Sequence, residues 1–433
     1  MSAANPFSAA ILISAALSGG AMAQSTWNGT TNTNWSTTTN WNPAAVPAAG
    51  ANLTIADTTT NGLTLDGTTS RSIGSITFGT TGTRTSNFTL NTQAANTLTI
   101  NGGITANGAF PNTPTAFTMR GYYNVAADQT WSVGGSVDHS KDQGIVVRGV
   151  VDTANNPPTG ALTLNGNLTK AGAGQLMLAS LTLSGAGNFT VNSGVLKLNA
   201  GANQPLVIGG TGNLAMSGSS VLAVYKNSGT MNITRPIVMN DSAGLVTRSN
   251  TCDIASSITF NGTHTLDSTV TTNLTGGLSG AGSVNRVGGG TVNVSSASGL
   301  TGTLNLGAGV MNITGALGGS LGSSGGTNTI GGGVPGNVTS TGGTTTVNGA
   351  VTGSVSTSGT GTTTIAGTVG GNATILGGTL NLNGTSVGGQ LSLAAGASVG
   401  GEPTVTGNLY LDGGTIAVNP TTPASLGTAA DSL

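Results

Sequence analysis

Charge is scarce in this sequence. Only 5% of its 433 residues are Asp, Glu, Lys or Arg, and the formal net charge is −1. Electrostatic binding to nucleic acid rests on clustered Lys and Arg. Here eleven are scattered along the chain, so no nucleic acid partner is expected. A basic membrane-binding face is excluded on the same ground. Cysteine is nearly missing too. Cys252 stands alone, so no intramolecular disulfide can form, and its strand-like setting reads as that of a small buried hydrophobe. The two histidines, His139 and His264, are far apart, and neither has a Cys or carboxylate at ligand spacing. A calcium-binding roll needs Asp in each Gly-rich turn, where this chain has Asn, Ser and Gln. Gly-x-Gly-x-x-Gly strings occur, but without a βαβ setting. No metal and no cofactor are therefore expected. After the N-terminus no apolar run is long enough to cross a bilayer as a helix, so no integral membrane segment is expected.

Glycine is abundant instead, with 74 residues, and the apolar residues keep a beat. Val334, Val351, Val369, Val387 and Val405 recur at a nearly constant step. Thr327, Thr344, Thr362, Thr379 and Thr415 keep a second beat, with Ala397 filling the missing step. A short fixed period means one structural unit stacked on itself. Within a period Leu380 and Leu382 alternate with Asn381 and Asn383, the pattern of a strand with one buried face. Helical spacing is absent, and Gly and Thr are poor helix formers. Such short strands do not stand alone in water. Stacked coils do, because each strand bonds to its copy above and below. A disordered Gly/Ser/Thr linker would have no reason to keep register. About twenty such coils would make a rod on the order of 95 Å long at the usual strand spacing. Asn at the corners tolerates left-handed backbone and can form side-chain ladders.

The chain divides by composition. Residues 1–23 read as a secretory signal: Ile11 to Leu17 is a short apolar run, and Ala21-Met22-Ala23 is a small-residue cleavage site before Gln24. The usual positive n-region is absent. Residues 24–135 hold most of the aromatics and read as an N-terminal β segment that caps the rod. Trp27, Trp35 and Trp41 then pack over the open end; a sugar-stacking platform is the other reading. Residues 136–320 are an irregular β-helix, 321–419 the regular array, and 420–433 a short tail.

Three stretches resemble the bacterial autotransporter-associated β-strand repeat proteins. The first runs from Trp27-Asn28-Gly29 through Asn34-Trp35-Ser36 and Asn40-Trp41 to Gly74–Phe78 and Leu98–Ile104. The second is Gln129–Val133 with Leu168-Thr-Lys170-Ala-Gly172-Ala-Gly174-Gln-Leu176 and Phe189–Leu198. The third, weaker, is Gly288–Val294 with Gly307–Ile313. The resemblance implies an exported β-helical passenger or surface protein, secreted or held at the bacterial cell surface, either outer membrane-associated or extracellular. Neither a transporter barrel nor a Pro-Glu-Pro sorting tail follows residue 420, so three readings stay open: release, capture by a partner, or a truncated product.

Reactive side chains are sparse. The densest cluster is Asp138-His139-Ser140-Lys141-Asp142 with Arg148 and Asp152. Asp138 and Asp142 form a candidate carboxylate pair for glycoside hydrolysis; a solvated loop is the plainer reading and the one adopted. Four opposite-sign pairs are each separated by one such period and are expected to meet on neighbouring coils: Asp66 with Arg84, Arg120 with Asp138, Asp152 with Lys170, and Arg235 with Asp253.

The chain therefore reads as all-β: a parallel β-helix, or solenoid, with about 17–18 residues per coil in its C-terminal part. A right-handed coil is the first choice; a triangular coil like that of the bactofilins and a left-handed hexapeptide type stay open. The functional reading is a non-catalytic, exported structural or adhesive surface protein. Its partners would be a cell-surface or matrix polysaccharide, or further copies of itself. The alternative is a secreted polysaccharide-processing β-helix enzyme, a hydrolase or lyase. No catalytic or metal residues are assigned, and the ligand-binding residues are left unknown.

Overall fold

The computed structural model describes residues 23–56, 62–79, 87–93, 96–106, 116–135, 138–150, 159–201, 205–227, 229–296, 298–383, 385–401 and 403–416. The N-terminal apolar run, Arg84, Asp152 and the tail after Pro420 lie outside them. Among the described residues the regular structure is all strand apart from one short 3-10 turn at Thr38–Asn40. The strands stack in parallel as a β-solenoid.

The longest unbranched ladder has 17 strands, from Leu63–Leu65 to Leu409–Leu411. Each strand pairs with the one a turn away: Leu176 faces Leu196, then Leu222, Leu245 and Leu266. Its first and last strands sit at opposite ends of the stack, so the ladder is open rather than a closed barrel. Its sixteen steps span about 77 Å at roughly 4.8 Å each. This is shorter than the rod expected from the C-terminal period, because the early coils use more chain. Phe88 stacks on Phe117, Phe117 on Ile145 and Ile145 on Leu176. In those coils the Ala116 amide meets Asn87 Oδ1 at a sequence offset of 29. Leu321, Val338 and Val355 stack in much shorter coils, where the Ser354 amide meets Asn337 Oδ1 at an offset of 17.

The other two faces begin as one sheet. Arg71–Phe78 and Thr97–Ala106 are long strands, with a register shift between Ile73 and Ser75. Beyond them the sheet divides. Thr97 to Ile100 pairs with Tyr122–Val125, while Ile104 to Ala106 pairs with Trp131–Val133. One branch continues to Met231–Ile233. There the Ala255 amide donates to the Ile233 carbonyl (3.1 Å), and Cys252–Ile254 opens a ten-stranded ladder ending at Thr415–Ile416. The other branch runs through Leu168, Phe189, Leu214, Ile237, Ile258 and Leu278. It then thins to single bridged residues, Val334, Val351, Val369 and Val387, and closes on Val405. The valine column is thus the end of a column that begins at Gln129. The thinning of that third strand accompanies only the last step of the shortening, from an offset of 20 at Asn285 and Asn305 to 17 at Asn337 and Ser354.

The five valines stack inward as expected, and all are buried. The threonine column stacks too, with one correction. Thr379 pairs with Ser398, not Ala397, because that turn is one residue longer; Ala397 is turned into the core. Leu380 and Leu382 are fully buried, and burial of such a side chain contributes roughly 1.5–3 kcal/mol. That gain, repeated coil after coil, offsets the entropy of ordering a Gly-rich chain. The interior is not wholly apolar. Asn328, Thr345 and Thr363 form an inward column; Asn328 Nδ2 donates to the Gly325 carbonyl (3.0 Å) and Thr345 to Ser323 Oγ (2.9 Å), while Thr363 Oγ1 has no partner among the described residues.

The corners carry side-chain ladders. The amides of Asn337, Ser354, Asn372 and Gln390 each donate to the Ser or Asn one coil earlier, from Ser320 Oγ (3.2 Å) through Asn337 Oδ1 (2.8 Å) and Ser354 Oγ (3.1 Å) to Asn372 Oδ1 (2.9 Å). These are the fourth residues of the repeating valine phrase. At the N-terminal end Trp41–Asn42 crosses antiparallel over Gln24–Trp27, which itself pairs parallel with Asn52–Ile55. The first edge is therefore covered. Trp27, Trp35 and Trp41 are buried, with edge-on ring contacts at 4.9 Å, and Trp41 Nε1 donates to the Trp35 carbonyl (2.9 Å). They pack the end of the rod and are not a sugar-stacking platform.

Candidate functional surface

The outer face of the 17-strand ladder carries a cluster of charged side chains. Two outward columns matter. One runs Arg120, Arg148, Ala179, Asn199, Tyr225, Arg248; the other runs Val146, Met177, Lys197, Ala223, Val246, Asp267. The segment 138–143 lies across them. Gln175 Nε2 donates to the Lys141 and Gln143 carbonyls (3.0 and 3.4 Å), and Lys197 Nζ binds Asp142 Oδ1 (2.8 Å). His139 Nδ1 meets the Tyr225 hydroxyl at 2.7 Å, and Lys197 Nζ sits 4.6 Å from the centre of the Tyr225 ring. The expected solvated loop is therefore a docked one. The sequence reading singled out Asp138 to Asp142 but missed Lys197, Tyr225, Arg248 and Asp267, which join them from later coils. No fixed spacing could have found them, since coil length varies between these strands.

The chemistry of the cluster is that of paired charges. Asp138 accepts from the Ser140 hydroxyl and amide (2.6 and 3.0 Å), which hold its carboxyl below the usual range, and it lies 3.6 Å from Lys141. Asp142 is held by Lys197, and Asp267 by Arg248 Nη2 (2.5 Å). A glycosidase acid needs a carboxyl pushed upward so that it carries a proton near neutrality. Asp138 is shifted the other way, and Asp142 is tied to a cation. Of the residues proposed with them, Arg148 stands two strands before Lys197 in the ladder, and Asp152 lies outside the described residues.

Of the four charge pairs expected one period apart, Asp66 with Arg84 and Asp152 with Lys170 each include a residue outside the described ones, and the other two do not form. Asp253 pairs with Lys226 (2.9 Å) rather than Arg235, and Asp138 with Lys141 rather than Arg120. The coils around Asp253 are longer than those at the C-terminal end: Asn273 reaches back to Asp253 across an offset of 20. The C-terminal period therefore misses the neighbouring strand. Lys170, Arg235 and Arg286 are buried inside the coil corners. Lys170 Nζ donates to the carbonyls of Gly172 (2.6 Å), Gly174 (2.5 Å) and Ser193 (2.6 Å). Burial lowers its pKa to about 8, while those three acceptors favour the ammonium form. Gly194, at φ +73°, leaves room for that ammonium, which a Cβ there would strike. The Lys-x-Gly-x-Gly phrase thus encodes a cation wrapped by its own turn and the next.

Cys252 is fully buried with its thiol pushed up to about 11 by burial, which suits a core residue and not a nucleophile. His264 is fully buried; Nδ1 lies 2.9 Å from the Ala243 carbonyl, and Nε2 has no partner among the described residues. Burial lowers the pKa of both His264 and His139 from 6.5, with Arg248 also acting on His139. The unfolded chain therefore takes up protons first as pH falls. Stability from these groups is complete above about pH 6.5 and is lost as pH falls through the lower folded values. The melting temperature is expected to drop as pH falls below about 6.5, and His264→Gln should flatten that drop. An unchanged pH profile in His264→Gln would count against a neutral buried imidazole.

Among the described residues no group of three His, Cys, Asp or Glu is placed to hold a metal ion, and no helix is long and apolar enough to cross a membrane. Comparison with family models, with curated proteins and with solved structures finds no match to this chain.

Proposed function

We propose that this is an exported, non-catalytic structural or adhesive surface protein, a rod that presents ordered neutral polar faces to polysaccharide or to other copies of itself. The observation that carries this reading is the outward face of the ten-stranded ladder. Thr327 and Thr329, Thr344 and Thr346, and Thr362 and Thr364 form two files in strict register. Earlier coils carry amides in the same file. Asn312 donates to Asn293, Asn293 to Asn273, and Asn273 to Asp253, at 2.9, 2.9 and 2.7 Å. Hydroxyls and amides at strand spacing match the donors and acceptors of a sugar chain, and the scarcity of charge removes repulsion between rods. A shallow groove of about 530 Å³ lined by Thr303, Asn305, Ser320, Asn337 and Thr339 extends this character to the long ladder. The resemblance to the autotransporter-associated repeat proteins supports export and display at a bacterial surface.

The purified protein is expected to show no turnover on a panel of neutral and acidic polysaccharides, and to associate as concentration rises, as followed by light scattering. Turnover that disappears in Asp138→Asn or Asp142→Asn would promote the enzyme alternative. A monomer at all concentrations would remove self-association and leave polysaccharide as the partner.

A further inference from the structure

Ten Lys and Arg side chains are described, and seven have evident partners. Lys141, Lys197, Lys226 and Arg248 are in ion pairs, and Lys170, Arg235 and Arg286 are enclosed by carbonyls. Arg120 and Arg148 differ. They face each other in register on adjacent parallel strands, on the outer face of the long ladder. Like charges at that position repel. Both are only partly exposed. Arg120 Nε is buried with no hydrogen-bond partner among the described residues. Burial and the neighbouring Arg120 charge lower the Arg148 pKa, and the Asp142 carboxylate that opposes this is already bound to Lys197 at 2.8 Å. A chain this poor in charge places two guanidiniums side by side and leaves both without an anion among its described residues.

We propose that Arg120 and Arg148 form a binding site for the carboxylate or sulfate groups of an acidic polysaccharide. Two planar forks one strand spacing apart, roughly 4.8 Å, match the bidentate geometry of carboxylate and sulfate oxygens. A bound anion would cancel the repulsion between the two partly exposed guanidiniums. Nucleic acid fits poorly, since non-specific binding draws on about six to ten phosphate contacts and this pair offers two cations. The polymer assignment rests on the adhesive reading above; the anion site rests on the pair alone.

The test uses the purified protein with polygalacturonate as probe, neutral dextran as control, and binding followed by calorimetry at low and high salt. Wild type is expected to bind polygalacturonate more tightly than dextran, and only that excess affinity should fall at high salt. Arg120→Gln and Arg148→Gln should each weaken binding about tenfold or more, whereas Lys141→Gln should leave it unchanged. Without ligand, each Arg variant should melt at the wild-type temperature or above at low salt, because one of two repelling charges is gone. A purely structural arginine would lower it. Failure of wild type to bind, or full binding by the double variant, would overturn the proposal. Inorganic sulfate at millimolar concentration binding as tightly as the polymer would overturn the polysaccharide assignment. Cleavage of polygalacturonate bears on the non-catalytic reading alone, because loss of binding in the Arg variants supports the site with or without turnover.

Discussion

Arg235→Met is expected to lower stability by about 3–5 kcal/mol, the usual cost of breaking a buried charged network by removing one member. Arg235 is fully buried. Its Nε donates to the Gly209 carbonyl (2.8 Å), Nη1 to Gly187 (2.7 Å) and Nη2 to Gly185 (3.0 Å), with Ser184 at 3.4 Å. These acceptors belong to corners one and two coils back, so a single side chain ties three turns together. Methionine keeps the apolar stem and removes every donor. The carbonyls are left buried, and each such orphan costs about 1–3 kcal/mol. Arg235→Lys should recover part of the loss, since one ammonium has three donors but no fork. Chemical denaturation of the three proteins, with hydrogen exchange at residues 184–210, tests this. Equal stability of the Met variant and wild type would show that water, not Arg235, satisfies those corners.

The second large effect is expected from Val369→Asp. Val369 is bridged to Val351 on one side and Val387 on the other, and all three are buried. An unpaired carboxylate there has no cation within the column, and its burial costs several kcal/mol even after it takes up a proton. In a stacked array each coil contacts only its neighbours, so damage spreads along the axis from the break. The coils from about 351 to the C-terminal end should therefore open to protease while the earlier coils persist. Val369→Ala, which leaves only a small cavity, should cost roughly 2 kcal/mol or less. Limited proteolysis with mass mapping separates the two outcomes. Uniform loss of the whole rod would argue for a more cooperative stack than nearest-neighbour contacts provide.

These two positions also mark where sequence reasoning succeeds and fails. Val369 lies in the part of the chain whose period is constant, and there the stacking, the inward face and the corner ladders were all legible. Period-2 alternation and a fixed step are local properties, and they survive translation into coordinates because each coil sees the same neighbours. Arg235 lies where coil length changes. Its one-period offset from Asp253 suggested an ion pair, but its guanidinium turns inward to carbonyls 26 to 51 residues earlier in the chain. The docked segment 138–143 gave the same difficulty. Its charged string was visible, but Tyr225, 86 residues beyond His139, is brought to it only by the stacking of intervening coils.

Composition and period by themselves determined that the chain is an all-β solenoid, poor in reactive side chains, with valine and threonine columns between Thr327 and Thr415. Both follow from strand alternation and from the burial that a repeating apolar residue demands. Only the tertiary structure decided which charges meet. The offset between neighbouring coils falls from 29 at Asn87 and Ala116 to 17 at Asn337 and Ser354, so no single offset relates neighbours throughout. Three cations went inside because Gly-rich corners expose enough carbonyls to hold them without a carboxylate. Arg120 and Arg148 were left facing each other because the register of two strands, and not their separation in sequence, sets what lies beside what.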